Sequence, residues 1–159
     1  MSGPGGSSGP TGRADGARRP IAGAVLWHPD GTVLLQHRDD RAGVKDAGKW
    51  SLFGGGIEPG EDPETAMLRE LQEEIDYRPE RYHPFLVLEA RDAVFHLFLA
   101  AIEAPLHRLQ LHEGQGFAYL APETALADYD LSDTARTALG VVQLYRDFRA
   151  GQGLEGLLD

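Results

Sequence analysis

The sequence predicts an α/β fold in which a mixed β-sheet lies between helices. Three observations carry that expectation. Short apolar runs of strand length recur on both sides of one central helical stretch, and the chain closes on an amphipathic helical pattern. Its 159 residues, 42% of them hydrophobic, suit one domain built on a sizeable core.

Residues 1–19 are rich in Gly, Ser and Pro and read as a disordered tail, with the folded domain spanning 20–159. Ile21–Trp27 is apolar and strand-like, and His28-Pro-Asp-Gly31 supplies a turn before a second strand at Thr32–His37. A polar loop, Arg38–Lys49, leads to Trp50-Ser-Leu-Phe53, after which Gly54–Gly56 is expected to break regular structure. Asp62 and Pro63 open a helix, Asp as its cap and Pro in its first turn, running to about Ile75. Gly60 serves the tight turn just before it. Strands are expected at Phe85–Ala90, Val94–Ile102, Leu106–Leu111 and Gly116–Leu120. Pro122–Ala127 reads as a short helix, and Ser132–Arg149 as a longer one that turns Leu139, Val142 and Tyr145 to the core.

The formal charge is −10. Residues 1–19 hold Arg13, Arg18 and Arg19 against Asp15 alone, so the rest of the chain is more acidic still. Such a balance disfavours sequence-independent attraction to a nucleic acid polymer or an anionic membrane. No apolar run reaches membrane-spanning length and the N-terminus lacks the apolar core of a signal peptide, which makes a cytoplasmic location the expectation. Without cysteine there is no disulfide, thiolate metal site or cysteine nucleophile. An acidic protein acting on an anionic substrate needs local cations, and that need points to metal ions.

Glu70, Glu73 and Glu74 stand at i, i+3 and i+4 on the helix after Pro63, within an arc of roughly 100°. Leu68, Leu71 and Ile75 form the apolar stripe beside them. Like charges so placed repel, and partial burial raises at least one pKa. A hard divalent cation reverses the penalty, because carboxylate oxygens are the ligands Mg²⁺ or Mn²⁺ prefers. The alternative is a solvated acidic face with Arg69 and Glu73 as an ordinary i,i+4 pair.

The surrounding run, GGIEPGEDPETAMLRELQEEIDY from Gly55 to Tyr77, closely resembles the Nudix box. Gly55, Glu61, Arg69, Glu70, Leu71, Glu73 and Glu74 match it in register. Asp76 stands where the box closes on glycine, and Tyr77 where an aliphatic residue is usual. Asp tolerates a left-handed helix end better than most residues, so the helix stop is expected to survive. The flanks also resemble the family, from a strand ending at Arg38 to Lys49-Trp-Ser-Leu-Phe-Gly-Gly, and the likeness covers about Pro20 to Arg149.

That resemblance implies a Nudix-type α/β/α sandwich and a magnesium-dependent hydrolase, with manganese as a substitute ion. Glu70, Glu73 and Glu74 would hold the metal, and the Gly54 carbonyl would add an oxygen. Arg69 would pair with Glu61 to orient helix and loop, with Gly55 structural in the motif. His112-Glu113-Gly-Gln-Gly116 resembles the loop of MutT-type nucleotide hydrolases that supplies a further metal-binding or basic glutamate, which makes Glu113 the candidate; a surface turn is the other reading. Glu70 or Glu113 would take the proton from the attacking water, and Glu73 stands with them as a catalytic candidate. Arg38 resembles a phosphate-contacting arginine, against a simple surface salt bridge. Trp50, Phe53 and Phe117 are candidates to stack on a base, against core packing. The histidines show no metal-ligand spacing such as His-Glu-x-x-His.

The implied substrate is a small nucleotide or other diphosphate. The Glu113 loop favours a nucleoside triphosphate cut to nucleoside monophosphate and pyrophosphate, with nucleotide sugars or other diphosphates as the alternative. Glu89-Ala-Arg-Asp lacks the proline that ADP-ribose hydrolases of this family tend to carry, and Leu34-Leu35-Gln-His-Arg38 only partly echoes the coenzyme A pattern. A catalytically silent nucleotide-binding domain is a second reading, which the intact trio of glutamates opposes. An isomerase of prenyl diphosphates is a third, opposed by the lack of cysteine. The expected assembly is a monomer or homodimer.

Overall fold

The computed structural model describes residues 16–148. In chain order these form strands β1 (Arg19–Trp27), β2 (Val33–His37), β3 (Trp50–Ser51) and β4 (Phe53–Gly56), helix α1 (Pro63–Ile75), strands β5 (Tyr82–Glu89), β6 (Ala93–Ala101) and β7 (Gly116–Leu120), and helices α2 (Pro122–Asp128) and α3 (Asp133–Phe148).

β1 is the axis of a mixed, seven-stranded sheet. Along one edge it runs parallel to β6, from Arg19 opposite Ala93 to Trp27 opposite Ala101. Its other edge is shared by two antiparallel partners, β4 over Ile21–Ala24 and β2 over Leu26–Trp27. β2 continues the sheet to β3 and β7, while β5 closes the far side on β6.

The period-two alternation of β1 divides the core into two layers. Ala22, Ala24 and Leu26 pack with Ala66, Met67, Leu71 and Ile75 of α1. Val25 and Trp27 pack on the opposite face with Ala135, Ala138, Leu139 and Val142 of α3 and Ala125 of α2. The result is the α/β/α sandwich expected from the sequence. Leu139 and Val142 are fully buried and Tyr145 is partly buried beside them, as the amphipathic pattern requires. Among the described residues no helix is long and apolar enough to cross a membrane.

Several boundaries differ from the sequence expectation. β1 begins at Arg19 because β6 extends far enough to pair with it. Arg19, expected in the tail, is therefore part of the sheet, and residues 1–15 and 149–159, on which most of the tail and the end of the last helix are expected, lie outside the described part of the chain. β5 starts at Tyr82, with a register irregularity between Pro84 and Leu86, as an edge strand tolerates around proline.

Two elements are corrections. Gly54–Gly56 does not break regular structure but continues β4 against β1, with Gly54 opposite Gly23. A Cβ at Gly54 would lie 2.3 Å from the Ala22 carbonyl oxygen, so glycine here permits close strand pairing instead of ending it. Leu106–Leu111 is not a strand. Leu106–Arg108 forms a single 3₁₀ turn, and the N–H groups of Gln110 and His112 go to the carbonyls of Ile75 and Glu74 at the end of α1. Leu109 is buried and Leu111 partly so against the α1 layer, which is why the apolar alternation imitates a strand.

Candidate active site

The site is built from one edge of α1, the end of β4 and the loop before β7. Asp62 caps α1 by accepting from the Thr65 N–H at 2.7 Å, and Pro63 occupies its first turn. Gly60, at φ +80°, makes the turn that brings Glu61 back towards the helix. At the other end Asp76 adopts the left-handed conformation (φ 52°, ψ 38°), and the Tyr77 N–H reaches back to the Leu71 carbonyl at 3.4 Å. The helix stop thus survives the loss of the usual glycine. Tyr77 fills its place by packing on the α1 layer while its hydroxyl donates to the Ala101 carbonyl at 3.0 Å.

Arg69 organises the entry to the helix. Its Nε and Nη2 donate to the two oxygens of Glu61 at 2.8 and 3.0 Å, and Nη2 also reaches the Gly56 carbonyl at 3.0 Å. Nη1 donates to Glu70 at 3.0 Å and, less closely, to Glu73 at 3.3 Å. The two-pronged pair with Arg69 holds the Glu61 carboxyl below its ordinary range. One guanidinium therefore ties helix, turn and strand together.

Glu74 is the buried acid of the group, only 4% exposed. It accepts a hydrogen bond from the Gly54 N–H at 2.9 Å. Desolvation, reinforced by the charge of Glu70, pushes its pKa up to about 8 against the opposing pull of that N–H and of Arg38. Burial also raises Glu70, although Arg69 works against it. Glu113 adds negative potential to both. Gly55 is required here for space, since a Cβ would stand 2.4 Å from Glu70 Oε1.

The loop carrying Glu113 is fixed to the end of α1. The His112 N–H donates to the Glu74 carbonyl at 2.9 Å, and the His112 ring meets the Asp76 carboxylate at 2.8 Å. On its other side the buried Gln36 donates from Nε2 to the Glu113 carbonyl at 2.7 Å. Gly114, at φ +92°, passes so near β2 that a Cβ would lie 2.7 Å from the His37 carbonyl oxygen.

Glu70, Glu74, Gly54, Gly55 and Glu113 open on one cleft of about 320 Å³. Arg38 lines it too; its Nε donates to the Lys45 carbonyl at 2.8 Å, and it forms no ion pair among the described residues. Glu73 is not part of this lining. Its side chain is 59% exposed and turned to Arg69.

The three aromatic candidates take the packing alternative. Trp50 stacks on His37 with ring centroids 4.8 Å apart, meets Tyr129 edge-on and stays outside the cleft. Phe53 borders the cleft but is fully buried and packs in the α1 layer. Phe117 is likewise engaged by that layer. The cleft instead presents Phe95 and Leu97 from β6, with Lys45 over the Phe95 ring at 5.5 Å, and Arg19 at its edge. Sequence reading missed these four. The one available signal was the parallel register that sets Phe95 beside Ile21, which no single-sequence pattern reveals.

The donors suit a hard divalent cation. Carboxylate oxygens that raise one another's pKa are stabilised by such an ion, and Glu74 is too buried for water to serve instead. Among the described residues, however, no three acidic or histidine side chains converge on one coordination point, because Glu70 and Glu73 are turned to Arg69. Assembly of a metal centre here requires those carboxylates to turn inward.

Comparison with known proteins agrees with this geometry. Residues 17–139 match the family model described as the NUDIX domain. Over 130 residues the chain is 30% identical to the nucleoside triphosphatase NudI of Escherichia fergusonii, covering 73% of this chain and 91% of that protein. A 68-residue stretch is 44% identical to the RNA pyrophosphohydrolase of Gluconacetobacter diazotrophicus, covering 41% of this chain; the chain spans only 41% of that protein's length. The solution structure of the Escherichia coli ORF135 protein superposes with a TM-score of 0.64 at 27% identity, covering 89% of this chain and all of that one. From the box, the sandwich and these likenesses together, the chain belongs to the Nudix hydrolase family as a MutT-like member.

Proposed function

We propose that the cleft hydrolyses the α–β bridge of a nucleoside triphosphate, giving nucleoside monophosphate and pyrophosphate in a magnesium-dependent reaction. One observation carries this reading: the buried Glu74, with its raised pKa, lies beside Glu70 and Glu113 in a cleft that also holds the unpaired Arg38. The names of relatives, a nucleoside triphosphatase and an RNA pyrophosphohydrolase, support the substrate class.

Glu70, Glu74 and Glu113 are the proposed metal donors, with Glu73 and the Gly54 carbonyl completing the set; manganese is the substitute ion. Bound magnesium lowers the pKa of water and neutralises phosphoryl charge. Gly54, through its N–H, holds the Glu74 carboxylate in place, while Glu70 exchanges its contact with Arg69 for the metal. Arg38 binds a phosphate oxygen, for which a guanidinium is well suited. The proton from the attacking water goes to Glu70 or Glu113. Phe95, partly exposed, gives the nucleoside an apolar wall.

The test is incubation with Mg²⁺ and a panel of nucleoside triphosphates, nucleotide sugars, dinucleotides and 5′-triphosphorylated RNA, with products identified by mass. Nucleoside monophosphate and pyrophosphate are expected from the triphosphates. Orthophosphate with nucleoside diphosphate, or no turnover on any triphosphate, contradicts the reading.

A further inference from the structure

A second cavity, of about 960 Å³, adjoins the cleft and shares Arg19, Gly56 and Glu70 with it. Glu74, Glu113 and Arg38 do not line it. The two cavities therefore meet beside Glu70, and a linear substrate held at Glu70 has room to extend in both directions. We infer that the second cavity receives the β,γ-diphosphate end of the substrate and that Arg19 is the residue that binds it. This rests on the nucleoside triphosphate reading and adds to it a place for each end of the molecule.

Arg19 has the right chemistry and placement. It opens β1, where its backbone N–H donates to the Asp92 carbonyl at 2.8 Å and its register partner is Ala93, so its base is fixed to the sheet. Its guanidinium lies against the bare face of Gly56, where a Cβ would stand 3.1 Å from Nη2. Of the acids lining this cavity, all but Glu58 have cationic partners. Arg69 holds Glu61 and Glu70, and Arg18 holds Glu89. Arg19 forms no ion pair among the described residues, in a protein with 25 acidic side chains against 15 lysines and arginines. An exposed guanidinium without a carboxylate beside it, next to an acidic centre, matches a phosphate group, whose oxygens its planar fork can grip in pairs.

The nucleoside then lies in the first cleft along Phe95, and the polyphosphate passes Glu70. In hydrolysis one water O–P bond forms at the α–β bridge and one bridging P–O bond breaks. The pyrophosphate that results is the species Arg19 holds. Ile57, Pro59 and Pro63 line the same cavity as Arg19.

The probe is inorganic pyrophosphate, titrated calorimetrically into the full chain in Mg²⁺, with nucleoside monophosphate as the parallel ligand. In Arg19→Ala the dissociation constant for pyrophosphate should rise about 10-fold while that for the monophosphate stays within twofold, and Arg19→Lys should fall between. For turnover, Arg19→Ala should raise KM for a nucleoside triphosphate more than it lowers kcat. A pyrophosphate affinity unchanged by the substitution, or equal losses for both ligands, overturns the assignment. Failure of the triphosphatase reading shows separately, as absence of wild-type turnover, and leaves the pyrophosphate titration able to decide on Arg19.

Discussion

The His112 ring and the Asp76 carboxylate meet at 2.8 Å, joining the loop of Glu113 to the end of the acidic helix. Asp76 occupies the position where the Nudix box closes on glycine, and it holds a left-handed backbone there at φ 52°. The strain of a side chain in that conformation is accompanied by a contact that glycine could not make. The clasp joins two hydrogen bonds from the loop backbone to the last turn of the helix.

If the clasp acts by holding Glu113, its loss should matter only when Glu113 is present. His112→Ala is expected to lower kcat several-fold with little change in thermal stability, both partners being about half exposed. In a Glu113→Gln background the same substitution should have no further effect on kcat. Steady-state kinetics on the four proteins of this cycle check it; additive losses would show that His112 acts elsewhere.

Gly55→Ala tests the space beside Glu70. The new methyl would lie 2.4 Å from Oε1, and the side-chain end must move away from it. Activity should fall at least about 10-fold, while the melting temperature shifts by only a few degrees because a flexible carboxylate yields more readily than backbone. Gly54→Ala should behave oppositely. Its methyl meets the Ala22 carbonyl at 2.3 Å with φ at +149°, so the loss should appear first in stability.

Glu74 gives the metal-free protein a pH-dependent stability. Its carboxyl ordinarily titrates near 4.5, and burial raises it to about 8 in the fold. Ionisation is therefore harder in the folded state, so the stabilising contribution is complete below about pH 4.5 and is lost as pH rises through about 8. Thermal melts in EDTA should show wild type losing stability over that window relative to Glu74→Gln, by a few kcal/mol at about 1.4 kcal/mol per pKa unit. Mg²⁺ should shrink the difference by stabilising the ionised form. Parallel melting curves for the two proteins would contradict the burial argument.

Phe53 and Phe95 separate packing from binding. Phe53→Ala should destabilise the fold by roughly 3–5 kcal/mol, as removal of a fully buried ring usually does. Phe95→Ala, in the cleft wall, should raise KM for nucleotide with a much smaller stability loss. Denaturant unfolding and steady-state kinetics on both variants distinguish the roles.

Much of this architecture is legible in the sequence because local chemistry and tertiary structure agree. The cap at Asp62, the proline after it and the apolar stripe of Leu68, Leu71 and Ile75 specify α1 without help from the rest of the chain. The Arg69–Glu61 pair is equally legible, through the register of the box. What escapes depends on long-range packing. Leu106–Leu111 alternates like a strand, yet its N–H groups bond within a local turn or, at Gln110, to the Ile75 carbonyl of α1. Gly54–Gly56 reads as a break, although the same lack of side chains lets β4 approach β1. Arg19 reads as the end of a tail because its position is fixed by pairing with Ala93 of β6, far along the chain. Glu73 matches the box, but its orientation is set by Arg69, which helical spacing alone does not report.

The central claim is that Glu70, Glu74 and Glu113 share a divalent cation, and Mn²⁺ binding followed by electron paramagnetic resonance addresses it most directly. Wild-type protein should take up Mn²⁺ and release it to excess Mg²⁺, with affinity reduced at least about 10-fold in folded Glu74→Gln and Glu70→Gln. Uptake by both variants as tight as that of the wild type would contradict the claim.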